Sequence, residues 1–361
     1  MLSQKIVFRV DASNKIGTGH FMRCLTLADE LKKQGAYILF ISRNLPAQLN
    51  NMLRENEIEY ISLSSDDIDY TIDELAHASW LGISQAEDSQ ATIKELSYQV
   101  WDWLIVDHYA LDVRWEKALR PIVKNIMVID DLADRHHDCD LLLDQNYYAD
   151  METRYNSKVP SNCKLLLGPR YAMLRDEFRI LREQVKIRTG EVKKILVFFG
   201  GVDSNNFTMK VVEVLSNMNA NFQVDVVIGA QHSYKEQIQS SCKQNGFVCH
   251  VQTSNMAKLM LEADFSIGAG GAASWERCCL GLPSLLFSLA DNQVAIAKEL
   301  SSIDACTYVG NSDSIDSNDL KTYLLRLFED KEKIQQQSKN SLSILDALGV
   351  LRVTDEMRGL V

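Results

Sequence analysis

The sequence predicts an α/β protein of two doubly wound parallel-sheet domains that face a cleft. Three observations carry that expectation. Short β-branched runs alternate with amphipathic helical segments along most of the 361 residues, a length sufficient for two domains. The alternation starts afresh near Lys193. Glycine-rich turns stand directly after strands, where open parallel sheets place their ligand loops.

Taken in order, IVFRV (6–10) is the first strand and the loop Asp11–Gly19 follows it. In HFMRCLTLADELKKQG the residues Met22, Leu25, Ala28 and Leu31 recur at helical spacing, and Gly35 stands where the helix would stop. AYILFIS (36–42) is a strand, a helix follows Pro46, and EYISL (59–63) is the next strand. The acidic, Ser-rich stretch Ser64–Asp73 reads as a loop. A helix near 87–99 leads to WLIVD (103–107), another leads to IMVIDD (126–131), and CDLLLD (139–144) closes the first run. The second run begins with KKILVFFGG. It continues as helix 205–217, strand 223–229, helix 233–245, strand 247–251, helix 255–262, strand 265–269, helix 272–280, strand 284–288 and helix 291–302. The expected division is 1–170 and 171–361, with the join inside the charged helical stretch 165–192. Helices over 315–345 pack on one of the two domains.

Composition narrows the function. Hydrophobic residues at 46% and charged residues at 24% suit a globular protein and argue against disorder. A net charge of -11 argues against non-specific binding to nucleic acid or anionic membrane, while leaving room for locally built phosphate sites. MLSQKIVFRVD is too polar for a signal peptide, and no apolar run approaches the roughly 20 residues of a membrane span. The eight cysteines form no C-x-x-C pair and read as reduced and packed, which fits the cytoplasm.

The candidate chemistry lies after the strands. In the loop Asp11–His20, Gly17 and Gly19 permit tight turns, and His20 opens the helix. The helix field disfavours imidazolium, which would leave a neutral His20 able to take a proton from water as general base; the residues alone keep an ordinary helix-start histidine open beside that reading. The pair Gly17/Gly19 lacks the rest of a dinucleotide fingerprint. Asp11, Gly17 and Gly19 are candidate substrate contacts. Asp107 and Tyr109 end one strand, and the residues alone leave a structural and a substrate-contacting role equally open for both. Asp130 and Asp131 read as capping a turn and pairing with Arg135. Asp138 and Asp140 match a short D-x-D pattern of metal-dependent sugar transfer, but such matches arise by chance and Asp140 heads an apolar strand, so no metal is assigned.

In the second run, Phe199–Asn205 and Gly268–Glu276 are glycine turns suited to anion binding. Gly201, Asn205, Met256, Gly270, Gly271, Ser274, Asn292 and Gln293 are candidate substrate contacts, and Glu276 is placed to accept both hydroxyls of a ribose. Two such loops in one Rossmann-like domain favour a nucleotide site.

The runs RVDASNKIGTGHFMRCLTLADEL, VDHYALD, IDDLADRHHDCDLLLDQN, LLGPRYAMLRDEF, FFGGVDSNN, GAGGAASWERCCLGLPS and LADNQ resemble the UDP-2,4-diacetamido-2,4,6-trideoxy-β-L-altropyranose hydrolases of pseudaminic acid biosynthesis. The resemblance covers about residues 4–300. It implies a GT-B-like fold, similar to that of inverting, metal-independent glycosyltransferases. It further implies that His20 activates water, that Asn292 and Tyr109 lie near the sugar, that Glu276 holds the ribose, and that Gly270, Gly271 and Ser274 line the diphosphate. The implied partner is a UDP-activated diacetamido sugar, with no cofactor, no nucleic acid, no membrane and no obligate protein partner. A glycosyltransferase of the same architecture is the alternative. A non-catalytic sugar-nucleotide sensor fits less well, because pure binding needs no general base.

Overall fold

A computed structural model describes residues 4–13, 15–64, 73–201, 203–218 and 222–360. Asn14, Val202 and most of the loop expected over 64–73 lie outside the described residues. The chain divides into two compact units. Unit 1 holds 1–146, 150–173 and 349–361; unit 2 holds 147–149 and 174–348.

Unit 1 contains β1 (Lys5–Val10), β2 (Tyr37–Ser42), β3 (Glu59–Ser62), β4 (Trp101–Asp107), β5 (Val123–Ile129), β6 (Leu141–Asp144) and β7 (Lys164–Leu167). They form one parallel sheet in the order β3-β2-β1-β4-β5-β6-β7. The two-residue period of a strand sends Ile6, Phe8 and Val10 to one face. There they pack with Phe21, Cys24, Leu25 and Ala28 of the helix Gly19–Lys33. Val7 points to the opposite core, with Leu39, Leu104, Val106 and Val128. Burial on both faces is why the central strands are largely apolar.

Unit 2 contains β8 (Lys194–Phe198), β9 (Gln223–Ile228), β10 (Val248–Val251), β11 (Phe265–Ala269), β12 (Ser284–Ser288) and β13 (Thr307–Asn311), in the order β10-β9-β8-β11-β12-β13. Both sheets reverse their winding direction once, between β1 and β4 and between β8 and β11. At such a reversal the loops leave in opposite directions and open a crevice at the strands' carboxyl ends. The expected fold class, two doubly wound parallel-sheet units, is borne out.

The structure adds two edge strands to the expected set. β7 is only four residues long, and the register of β13 shifts between Leu286 and Phe287 of its neighbour, with Gly310 at φ 137°. Short or irregular edge strands leave little periodic signal. The second domain was expected to run to the C-terminus, and this is corrected: the helix Gly349–Gly359 packs in unit 1. Its Val350, Val353 and Met357 enter the core beside the helix Gly19–Lys33, and Thr354 accepts a hydrogen bond from Gln34 at 3.1 Å. The helices Ser317–Glu329 and Lys331–Ile344 stay with unit 2, where Leu320, Leu324, Leu327 and Ile334 join the core. Among the described residues no helix is long and apolar enough to cross a membrane.

Candidate active site

In unit 1 the site residues gather where the winding reverses, after β1 and β4. The loop after β1 closes on itself: Gly17, at φ 81°, donates its backbone N–H to the Ser13 carbonyl at 2.7 Å. A side chain at Gly17 would have room but not that backbone conformation. Gly19 is the first residue of the following helix, and Thr18 caps it without a side-chain hydrogen bond. His20 is therefore held at the second helical position, 8% exposed.

His20 Nδ1 lies 2.5 Å from Oδ1 of Asp107, the last residue of β4. Asp107 is buried. Burial opposes its charge, but the Arg23 guanidinium and His20 outweigh that and hold the carboxyl well below the usual carboxylate range. An ionised carboxylate can only accept, so the proton of a neutral imidazole sits on Nδ1 and the lone pair on Nε2. Arg23, one helical turn beyond His20, donates from Nε to Asp107 Oδ2 at 2.6 Å and from Nη2 to Oδ1 at 2.7 Å. Its Nη1 donates to Asp131 Oδ2 at 2.9 Å. Such a forked pairing fixes the carboxylate plane, and through it the orientation of the imidazole. Asp107 thus orients His20, with both of its carboxylate oxygens engaged by protein partners.

Tyr109 packs its ring edge-on to His20, with centroids 4.5 Å apart, and its hydroxyl bonds to Asp131. Burial, reinforced by the Asp131 charge, pushes the phenol well above its usual range, so Tyr109 is a neutral wall of the site.

Asp11 is likewise engaged by protein partners. It is fully buried, its Oδ1 accepts from Arg9 at 2.7 Å and from the Arg43 backbone N–H at 2.7 Å, and His108 Nε2 lies 3.1 Å from Oδ2. These bonds tie the loop to β1 and to the chain after β2. Asp130 behaves as the sequence suggested, pairing with Arg135 at 2.8 Å and accepting from Ala133 N. Asp131 does not; Arg23 takes it instead. Asp138 and Asp140 both pair with Arg120, so the D-x-D match is a structural ion-pair network.

Unit 2 repeats the arrangement at β8 and β11. Gly200 turns the chain at φ 97°, and exposed Gly201 leaves no space at Gly229, where a Cβ would fall 2.3 Å from its carbonyl oxygen. Asp203 accepts from the N–H groups of Phe207 and Thr208 and so caps the helix Phe207–Ser216. Asn205 bonds Asp313 at 2.7 Å on the exposed surface. Met256 is buried at the start of the helix Met256–Glu262.

After β11, a Cβ on Gly270 would fall 2.8 Å from the Ala297 Cβ, while Gly271 has open space apart from Gln293 Nε2 at 3.8 Å. Gln293 Oε1 accepts from Leu289 N at 2.9 Å, which aims its amide at this loop. Asn292 falls in the turn Asp291–Gln293, and its side chain lies outside the described residues. Ser274 Oγ is buried without a partner among the described residues. Glu276 lies in the first turn of the helix Ala273–Cys279, where Arg175 reaches one carboxylate oxygen at 3.2 Å. Burial raises the Glu276 carboxyl above its usual value against the pull of Arg175. Fully buried Arg277 donates to the carbonyls of Ala269 and Phe198 and so ties the ends of β11 and β8 together.

Residues 194–349 match the glycosyltransferase family 28 C-terminal domain. The chain is 27% identical over 262 residues to the UDP-2,4-diacetamido-2,4,6-trideoxy-β-L-altropyranose hydrolase of Campylobacter jejuni, covering 72% of this chain and 82% of that one. The chain is related to nucleotide-sugar enzymes of the GT-B fold. It is also 25% identical over 286 residues to an uncharacterized protein of Methanocaldococcus jannaschii, covering 77% of this chain but only 54%, about half, of that relative. In fold it is similar to the crystal structure of Acinetobacter baumannii MurG, with a TM-score of 0.63 at 15% identity over 99% of each chain.

Sequence reasoning missed Arg23 and Arg175, and of the aromatic residues around His20 it named Tyr109 but missed Trp80 and His77. Arg23 had a findable signal: it lies three residues after His20 and so shares its helix face.

Proposed function

We propose that this protein hydrolyses UDP-2,4-diacetamido-2,4,6-trideoxy-β-L-altropyranose to UDP and the free sugar, in pseudaminic acid biosynthesis in the cytoplasm. The observation that carries the reading is His20, with Nδ1 held by buried Asp107 and Nε2 left to accept a proton. In the proposed reaction Nε2 takes a proton from water as the water oxygen bonds to the anomeric carbon. The electron pair of the breaking C–O bond leaves with the β-phosphate of UDP, and the anomeric configuration inverts. One base suffices, because no covalent intermediate needs a second carboxylate as nucleophile. Asp107 stabilises the imidazolium formed when the proton arrives.

The reading assigns the general base to unit 1 and the nucleotide to unit 2. The diphosphate falls to the Gly270–Gly271 loop and to Ser274, whose buried hydroxyl lacks a protein partner among the described residues. The ribose falls to Glu276, whose second carboxylate oxygen is left over from the Arg175 pair. Asn292 and Gln293 fall beside the reacting sugar, with Gly201, Asn205 and Met256 at the margin of the nucleotide site. No metal is invoked: hydrogen-bond donors can stabilise the charge developing on a leaving group as good as UDP.

A second reading, an inverting glycosyltransferase, is favoured by the family 28 match over 194–349. Proton NMR of the anomeric signals, with UDP-diacetamido sugar and no acceptor, separates the two. Release of UDP with the inverted free sugar is expected. UDP release only on addition of an acceptor alcohol would overturn the hydrolase reading in favour of the transferase.

A further inference from the structure

Beyond the residues already placed, the segment Asp73–Ser84 brings two aromatic side chains against the base. Asp73 is anchored to Arg114 at 2.9 Å, and Lys15 of the first loop donates to Ser79 Oγ at 2.8 Å. The short turn Ala78–Trp80, which contains Ser79, presents Trp80. Its ring stacks on Tyr109 at 5.4 Å and meets His20 edge-on at 6.2 Å. His77 packs edge-on against both Trp80 at 4.6 Å and Tyr109 at 5.2 Å. Trp80 and His77 thus join Tyr109 and His20 in one cluster of four rings.

Two facts distinguish this cluster from ordinary core. Trp80 is partly exposed, whereas Trp101, Trp103, Trp115 and Trp275 are all fully buried. The Nδ1 atom of His77 is enclosed and has no hydrogen-bond partner among the described residues. An enclosed polar atom without a partner is costly, and its cost is relieved by a ligand group that donates or accepts there. Burial also lowers the His77 pKa, which keeps the ring neutral.

We propose that Trp80 and His77 form the wall of the sugar subsite and set its specificity, selecting deoxy and acetamido substituents over hydroxyls. The proposal rests on the UDP-sugar reading above. Ring faces gain by covering methyl and C–H surface, whereas a hydroxyl set against them loses its water partners without replacement. A 6-methyl or acetamido methyl group thus suits Trp80, and an acetamido N–H or C=O suits His77 Nδ1. An apolar wall of this kind discriminates against one added hydroxyl by about 100-fold at most.

Tryptophan fluorescence tests this in the intact protein, with calorimetry run in parallel. The titrants are UDP, UDP-N-acetylglucosamine and the UDP-diacetamido-trideoxy sugar. Trp275 lies beside the nucleotide loops, so Trp80→Phe is the control that isolates Trp80. The diacetamido compound is expected to change the Trp80 signal, and UDP alone to bind without changing it. Trp80→Ala is expected to raise KM for the diacetamido substrate about 10-fold or more and to narrow its advantage over UDP-N-acetylglucosamine, with UDP affinity unchanged. Trp80→Phe should retain most of that advantage.

Diacetamido-sugar binding seen as heat with a silent Trp80 overturns the wall, as does full selectivity in Trp80→Ala; hydrolysis in the same sample would leave the functional reading standing. A Trp80 response without UDP release in the absence of acceptor supports the wall and sinks hydrolysis. No binding by either sugar nucleotide overturns both.

Discussion

Replacing Asp107 by Asn isolates the feature on which the proposed chemistry depends. The two carboxylate oxygens of Asp107 accept from Arg23 Nε at 2.6 Å, Arg23 Nη2 at 2.7 Å and His20 Nδ1 at 2.5 Å. An amide of the same shape has one accepting oxygen and one donating nitrogen. Arg23 is always charged and takes the oxygen, so the amide N–H turns to His20. That donation forces the imidazole proton onto Nε2, and the ring can no longer accept a proton from water. By analogy with a histidine held by a carboxylate in other enzymes, kcat should fall about 10²- to 10⁴-fold. Asp131 still pairs with Arg23 at 2.9 Å, but a buried charge is left half-compensated, at a cost of up to about 3–5 kcal/mol in stability. Activity must therefore be read beside a melting curve and a UDP-binding isotherm. The expected result is a folded protein with unchanged UDP affinity and a collapsed kcat. A folded Asp107→Asn protein with kcat within a few-fold of the parent would refute the assignment of His20 Nε2 as the base.

Three further outcomes are expected. Glu276→Ala should weaken UDP binding about 10-fold and erase the preference for UDP over 2′-deoxy-UDP in calorimetry, as the loss of a polar partner for a ribose hydroxyl requires; a preserved preference would remove Glu276 from the ribose. Turnover should survive exhaustive chelation, because the nearby Asp130, Asp131, Asp138 and Asp140 are engaged by arginines; loss with a chelator, restored by a divalent cation, would return that cluster to the chemistry. Asp144, buried and beside Asp131, is pushed up from 3.8 to about 7 despite its 2.9 Å contact with Arg154. The folded state then holds a proton that the unfolded chain releases, so the stability this proton contributes is full below pH 4 and is lost as pH rises to about 7. Its total is on the order of 4 kcal/mol. The melting temperature of Asp144→Asn minus that of the parent should therefore climb between pH 4 and 7, and a difference independent of pH would contradict the shift.

The repeating strand-and-helix order was legible because periodicity is local: a run such as IVFRV or FSIGA declares itself within a few residues. The glycine turns after β1, β8 and β11 were legible for the same reason. The roles of Asp107 and Asp11 were not, since each depends on partners from other strands. Trp80 and His77 sit in no periodic element, so nothing in their neighbourhood points to His20.

Backbone preference and apolar patterning act over one element at a time, so the chain's local pattern was enough to specify two doubly wound sheets and the loops at their strand ends. Which side chains meet is settled by packing. It joins Arg23 to Asp107 across 84 positions and returns the helix Gly349–Gly359 to unit 1. It also enclosed Asp11 and left Ser274 Oγ and His77 Nδ1 without protein partners among the described residues. Such pairings are settled by which polar groups lose water together when the sheet closes, and that is a property of the packed molecule rather than of any stretch of chain.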